Sequence, residues 1–209
     1  MALLLASPAL NEHTVEDLDG SIYPFLSING KCWMAKNLDV SKFRNGDEIP
    51  HTQSDEAWQK AAMSQQPAWC YYDNNPENGK IYGKLYNWYA VSDTRGLVPL
   101  GWHVPTDNEW INLADYLGGQ QLAGGKMKSI SGWAENGNGN NSSNFSARPC
   151  GNRGFDGSFK NLGLAVFFWS ASAYSVNHAW MHCLHINGCD VFRYGCGKSV
   201  GASVRCVMD

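Results

Sequence analysis

"PTDNEWINLADYLGG" (Pro105–Gly119) begins with a helix start and ends with a helix stop. Thr106 and Glu109 have the spacing of a capping box, in which each side chain accepts from a backbone N–H that the helix leaves free. Trp110, Leu113 and Leu117 recur at three- and four-residue intervals and define one apolar face. Gly118 supplies the stop. The stretch predicts an amphipathic helix, which needs a second layer to cover that face. The last third of the chain offers one. Short apolar runs at about 166–172, 179–186, 189–194 and 202–208, separated by Gly or Asn-Gly, read as strands.

Upstream, "SIYPFLSINGKCWMAKNL" (21–38) reads as strand, turn, strand around Asn29-Gly30. "SDEAWQKAAM" (54–63) predicts a helix with Ser54 as N-cap. "YGKLYNWYAV" (82–91) carries Tyr82, Leu85, Tyr86 and Tyr89 at helical spacing. "ENGNGNNSSNFSARPCGNRGFDGS" (135–158) is rich in turn formers and reads as a long ordered loop. The expected class is α+β, with two main helices, a small antiparallel sheet and long loops.

The composition narrows the function. At 209 residues, with 44% apolar and 17% charged, the chain fits one globular domain rather than a disordered segment. A net charge of −3 argues against nucleic acid as a partner. No run approaches the roughly 20 apolar residues of a membrane span, so no membrane insertion is expected. Residues 1–14, which start "MALLLASPAL", read as an extension or signal remnant, leaving a single domain at 15–209. Seven cysteines leave at least one unpaired in a monomer.

Six blocks in order carry a family resemblance: "GKCWMAKNLDV" (30–40), "YGKLYNWYAV" (82–91), "GLVPLGWHVPTDNEW" (96–110), "AGGKMKS" (123–129), "FWSAS" (168–172) and "SVRCVMD" (203–209). They resemble the Fibrobacter succinogenes major paralogous domain family. That resemblance implies a C-type-lectin-like fold, with an architecture like that of formylglycine-generating enzyme. It also implies neighbouring first and last strands. Cys32 and Cys206 would then lie close, either bridged or as two buried thiols.

The C-terminal third also resembles the variable protein of a diversity-generating retroelement, of the kind found in gut bacteria and their phages. In such systems mutagenised template adenines turn AAY codons into NNY codons, which cannot encode Met, Trp, Lys, Gln or Glu. Residues 173–202 contain no Glu or Gln, and only Trp180, Met181 and Lys198 of the excluded types. Ordinary usage would place about six there. Trp180 and Lys198 fall at framework positions of the family. Trp180, Leu184, Val204 and Cys206 look like scaffold, whereas Asp190, Phe192 and Tyr194 alternate with Val191 and Arg193 and would share one strand face.

The resemblance implies a variable ligand-binding region at about 154–202. Its expected contact set is Phe155, Asp156, Tyr174, Val176, His178, His182, Cys183, His185, Asp190, Phe192, Tyr194 and Cys196. The expected function is diversified recognition of a protein or glycan ligand, without catalysis or cofactor. Display would be extracellular, on a phage virion or bacterial cell surface. The alternatives are a fixed glycan-binding adhesin and an oxidoreductase or metalloprotein like formylglycine-generating enzyme.

The chemistry-bearing stretch is "HCLHINGCDVFRYGCG" (182–197). Its cysteines are spaced too widely for paired zinc ligands, and His178 and His182 stand four apart in a strand-like pattern rather than on a helix. "ENGNGNNSSN" (135–144) has one carboxylate, Glu135, too few for a calcium cage. The Glu-Pro-Asn and Trp-Asn-Asp signatures of sugar-binding C-type lectins do not occur. Cys189 and Cys196 match the late cysteine pair of formylglycine-generating enzyme in position only, without its flanking residues. His103 reads as a hydrogen-bonded framework residue.

Overall fold

The computed structural model describes residues 13–209, so all but the end of the expected 1–14 extension lies outside the described residues. β1 (Thr14–Glu16) pairs antiparallel with β2 (Ile22–Ile28), which turns into β3 (Lys31–Met34). Asn29 and Gly30 both take positive φ, 51° and 74°, the paired left-handed geometry that a two-residue hairpin turn demands. α1 (Asp55–Met63) follows, with the Ser54 hydroxyl accepting from Ala57 N. Next come β4 (Trp69–Cys70), a short 3-10 turn at Tyr72–Asn74, α2 (Pro76–Tyr82), β5 (Leu85–Tyr86), α3 (Trp88–Val91) and β6 (Trp102–His103). α4 (Asp107–Tyr116) carries the complete capping box of Thr106 and Glu109. The chain continues through α5 (Gln120–Met127), β7 (Cys150–Arg153), β8 (Phe159–Leu162), β9 (Ala165–Ala173), β10 (His178–His185), β11 (Phe192–Gly197) and β12 (Val207–Met208).

Two five-stranded sheets organise these pieces, in the orders β1-β2-β3-β12-β6 and β11-β10-β9-β7-β8. β4 and β5 form a separate pair. In the second sheet β7 and β9 run parallel, with Gly151 opposite Val166. This corrects the expected C-type-lectin-like arrangement of two main helices and one small antiparallel sheet: the described residues form five α-helices and two large sheets. The unforeseen helices have weak signals. α2 is "PENGKIY", short and without an apolar face at helical spacing, and is started by Asn75, whose side chain accepts from Glu77 N. α5 is "QQLAGGKM", with two glycines that disfavour a helix in isolation.

The 82–91 stretch is likewise not one helix. Gly83 takes φ 73°, and a Cβ there would sit 2.8 Å from the Leu38 carbonyl oxygen. Asn87 then starts α3. Its Oδ1 accepts from Ala90 N and Ala68 N, and its Nδ2 donates to Gln66 O. The tyrosines at helical spacing therefore belong to three elements.

The interior holds two large clusters and one small one. Trp33, Trp110, Phe145, Phe168, Leu184 and Val207 belong to one, and Tyr86, Trp169, Met181, Val204 and Cys206 to another. Trp58, Cys70, Tyr72 and Leu85 form the third. The segment 201–207 is buried throughout and threads between the sheets. Ala202 bridges Tyr86, Ser203 bridges Phe168, and the carbonyls of Val204 and Cys206 accept from Leu38 N and Met34 N. Arg205 lies within this segment and donates to Met34 O, Phe145 O and the Asn37 side chain. All seven cysteines are free thiols, Cys206 buried and Cys32 half-buried.

Candidate functional site

The β9–β10–β11 sheet has two unlike faces. Cross-strand partners share a face, so His182 lies beside Phe168 and Arg193, while Met181 lies beside Trp169 and Tyr194. The His182 face packs on α4. Asp107, at the first position of that helix, receives Arg193 Nε at 2.8 Å and Nη2 at 2.6 Å, and His182 Nε2 stands 3.1 Å away. Trp110 stacks on His182 at 5.3 Å. The Arg193 guanidinium lies 3.3 Å from the centre of the Trp180 ring, against which Tyr174 packs edge-on at 4.6 Å. Burial would raise the Asp107 carboxyl, but hydrogen bonds and charge from Arg193, then His182, hold it below the ordinary carboxylate range. Burial pushes His182 down to about 4 despite the opposing pull of Asp107. At neutral pH the ring is therefore uncharged and Nε2–H donates to the carboxylate.

A groove of about 490 Å³ opens between α1, α3, the 154–158 loop, the start of β10 and the end of β11. Gln59, Met63, Tyr89, Phe155, His178 and Lys198 line it, and Asp156 stands beside them. Met63 and Phe155 are strongly exposed, at 80% and 68%. The groove's walls are tied to the interior. Arg153, fully buried, donates to Thr52 O, Gln53 O and Gly157 O and pairs with Asp55 at 3.0 Å, fixing the loop that carries Phe155. Gly157 takes φ 90°, where a Cβ would stand 2.6 Å from Asp55. Gln59 Nε2 donates to Asp156 O at 2.9 Å. Lys198 Nζ lies 4.4 Å above the Trp88 ring and donates to Val176 O, anchoring the β9–β10 turn. The Asp156 carboxylate accepts from the Ser158 hydroxyl and N–H, which lower its pKa.

The model of the Fibrobacter succinogenes major domain matches residues 26–208, nearly the whole chain. The chain belongs to that family. No curated protein and no solved structure matches it.

Within this Fibrobacter succinogenes major domain, the framework blocks explain how the late segment is held. Gly124 and Gly125 of "AGGKMKS" lie directly under residues 189–190, where a Cβ on Gly124 would meet Asp190 O at 2.5 Å. Lys128 of the same block donates to His185 O and Gly188 O, holding the β10–β11 loop. His103 bridges Glu109 and Asp209, at 3.0 and 2.6 Å, as a framework residue.

The twelve expected contact residues do not form one patch. Phe155, Asp156 and His178 border the groove, and Tyr174 and Val176 are exposed on the adjoining turn. Phe192 and Tyr194 are exposed on the sheet face opposite α4, with half-buried Cys196 near them. His185 and Asp190 sit half-buried at the far end of the sheet. His182 and Cys183 are corrections. Both are buried, at 2% and 6% exposure, so neither reaches the surface. The reason is register, since His182 faces α4 and Cys183 lies between Phe167 and Phe192. Burial raises Cys183 to about 12 and Cys196 to about 11, so both stay protonated thiols near neutral pH. Trp180, read as scaffold, is only half-buried, under Arg193.

Sequence reasoning missed Gln59, Met63, Tyr89 and Lys198 as groove residues. It also missed the Asp107–Arg193 pair, since neither residue carries a local signal of a partner 86 positions away. Among the described residues, no group of three or more His, Cys, Asp or Glu side chains is placed to hold a metal, and no helix is long and apolar enough to cross a membrane.

Proposed function

We propose that this chain is a ligand-recognition protein whose 154–202 region presents variable side chains on a fixed framework, as the variable protein of a diversity-generating retroelement. The observation that carries the proposal is the groove. Exposed Phe155 and Met63, with Tyr89 and His178, form an apolar and aromatic rim on backbone pinned by Arg153 and Lys198. Such a rim supplies anchors for a protein or glycan partner, while a rigid base keeps the entropic cost of binding low. Recognition of this kind needs neither nucleophile nor cofactor. Display outside the cell, on a bacterial surface or phage particle, follows from the same proposal.

Sequencing the DNA around the gene tests it. A reverse-transcriptase gene is expected, with a near-copy of the segment encoding about residues 154–202 that differs at adenines. If neither is present, the groove is a fixed recognition surface and variability is ruled out. A second test concerns the separation of surface from scaffold. Replacing Phe155, Val176 and Phe192 together by serine is expected to change unfolding free energy by no more than about 1 kcal/mol, because all three are half or more exposed. Urea denaturation measures this, and a loss of several kcal/mol would place these residues in the core.

A further inference from the structure

A second cavity, of about 600 Å³, lies between the start of β2, residues 35–39, the end of α2 and the loop at 146–148. It shares no lining residue with the groove. Its size is that of a small-molecule site. Its charge is lopsided. Lys36, Lys80, Arg148 and Arg205 line it, against Asp39 as the one carboxylate among the lining residues. Asp39 is already neutralised by Lys84 at 2.9 Å, and Lys80 by Glu77 at 2.6 Å. Lys36 and Arg148 are exposed, and among the described residues neither has an ion-pair or side-chain hydrogen-bond partner.

Arg205 sharpens the imbalance. Its side chain is buried, at 1% exposure, yet every acceptor it reaches is neutral: Asn37 Oδ1 and the carbonyls of Met34, Phe145 and Ser146. The Ser146 contact, at 3.4 Å from Nη2, is the longest and the least buried of the four. A guanidinium has five N–H donors, so Nη2 retains one for another acceptor. Buried guanidinium groups ordinarily find a carboxylate, because an uncompensated charge in a dry interior is costly. Burial pulls the Arg205 pKa below the usual arginine range, as expected for a cation with no counter-charge. Tyr82 also lines the cavity, and its hydroxyl has no hydrogen-bond partner among the described residues.

We infer that this cavity binds the oxyanion of a small organic molecule, a carboxylate or a phosphate, with Lys36 and Arg148 closing on it from the rim and Arg205 from the floor. The Arg148 guanidinium fork, the one free Arg205 N–H and the Lys36 ammonium suit either oxyanion. The remaining wall, with Ile22, Pro24 and Ile81, would cover the rest of the ligand.

Isothermal titration of the full chain with inorganic phosphate, with glucuronate and with neutral glucose tests the inference. Saturable one-to-one binding of at least one anion is expected. Binding of phosphate alone identifies a phosphate site, and binding of glucuronate alone a carboxylate site. Arg205 is not the residue to change, since it staples three carbonyls. The Lys36→Gln/Arg148→Gln double variant alters exposed side chains only. It should melt with the parent, and its affinity should fall about tenfold or more, as two charge-assisted contacts are lost. No binding of either anion, equal binding of glucose, or undiminished binding by the double variant would overturn the inference.

Discussion

Replacing Trp169 by alanine is expected to destabilise the protein by about 3–5 kcal/mol, the range for deleting a fully buried large aromatic side chain. Trp169 is wholly inaccessible, stands opposite Met181 on β10, and donates from Nε1 to Tyr86 O at 2.8 Å. Alanine would leave a void where β9 meets the pair formed by Tyr86 and Ala202, and would leave the buried Tyr86 carbonyl with Ala202 N as its remaining donor. Equilibrium urea denaturation at neutral pH measures the loss. A change below about 1 kcal/mol would mean that the interior collapses around the gap, and that the second sheet is not fixed by this residue.

The second large effect belongs to Asp107. Asp107→Ala leaves Arg193 and His182 facing each other without their acceptor, and removes a negative charge from the start of α4, where the helix dipole favours one. The expected cost is about 3 kcal/mol, the low end for breaking a buried pair because Arg193 remains 27% exposed. The same cluster sets the acid response. His182 is neutral in the folded state down to about pH 4, whereas in the unfolded chain it titrates near 6.5. Between those values the unfolded chain holds a proton that the folded one refuses. His182 therefore weakens the fold as the pH drops from about 6.5 to 4, by about 3 kcal/mol in all. Asp107 acts in the same sense at lower pH: its depressed pKa contributes stability above the ordinary carboxylate range, lost as protonation sets in. His182→Phe keeps an aromatic ring on Trp110 and removes the titration. Urea midpoints at pH 7 and 4.5 should then converge for the variant and diverge for the parent. Equal falls in both would contradict the buried neutral imidazole.

Local signals told most about the parts of the fold that are made locally. The Asn29-Gly30 turn, the Ser54 cap and the Thr106–Glu109 box each depend on residues within four positions, and each forms at the expected place. What escaped depends on distant partners. Gly83 breaks the 82–91 stretch because the backbone of Leu38 crowds it, and the glycines of α5 are tolerated because residues 189–190 lie against them. The candidate site divides in the same way. Alternation in β11 leaves Phe192 and Tyr194 exposed, whereas Asp190, read on the same face, precedes the strand and is half-buried. It says nothing about β10, where a register shift between Ala179 and Met181 and the docking of α4 bury His182. Met63 entered the groove unannounced, since an exposed methionine at a helix end carries no mark of what stands opposite it.

The placement of 201–207 bears on how the protein is made. Both sheets draw on this segment: Val207 pairs with Trp33 and His103, and Gly201 with Arg153. A growing polypeptide thus cannot close either core until residues 201–207 have left the ribosome, and these long-range pairings favour slow, late folding. Every newly made copy has completed its 154–202 region before the fold commits. A frameshift or stop codon arising in that region removes the closing segment, and the truncated product can complete neither sheet.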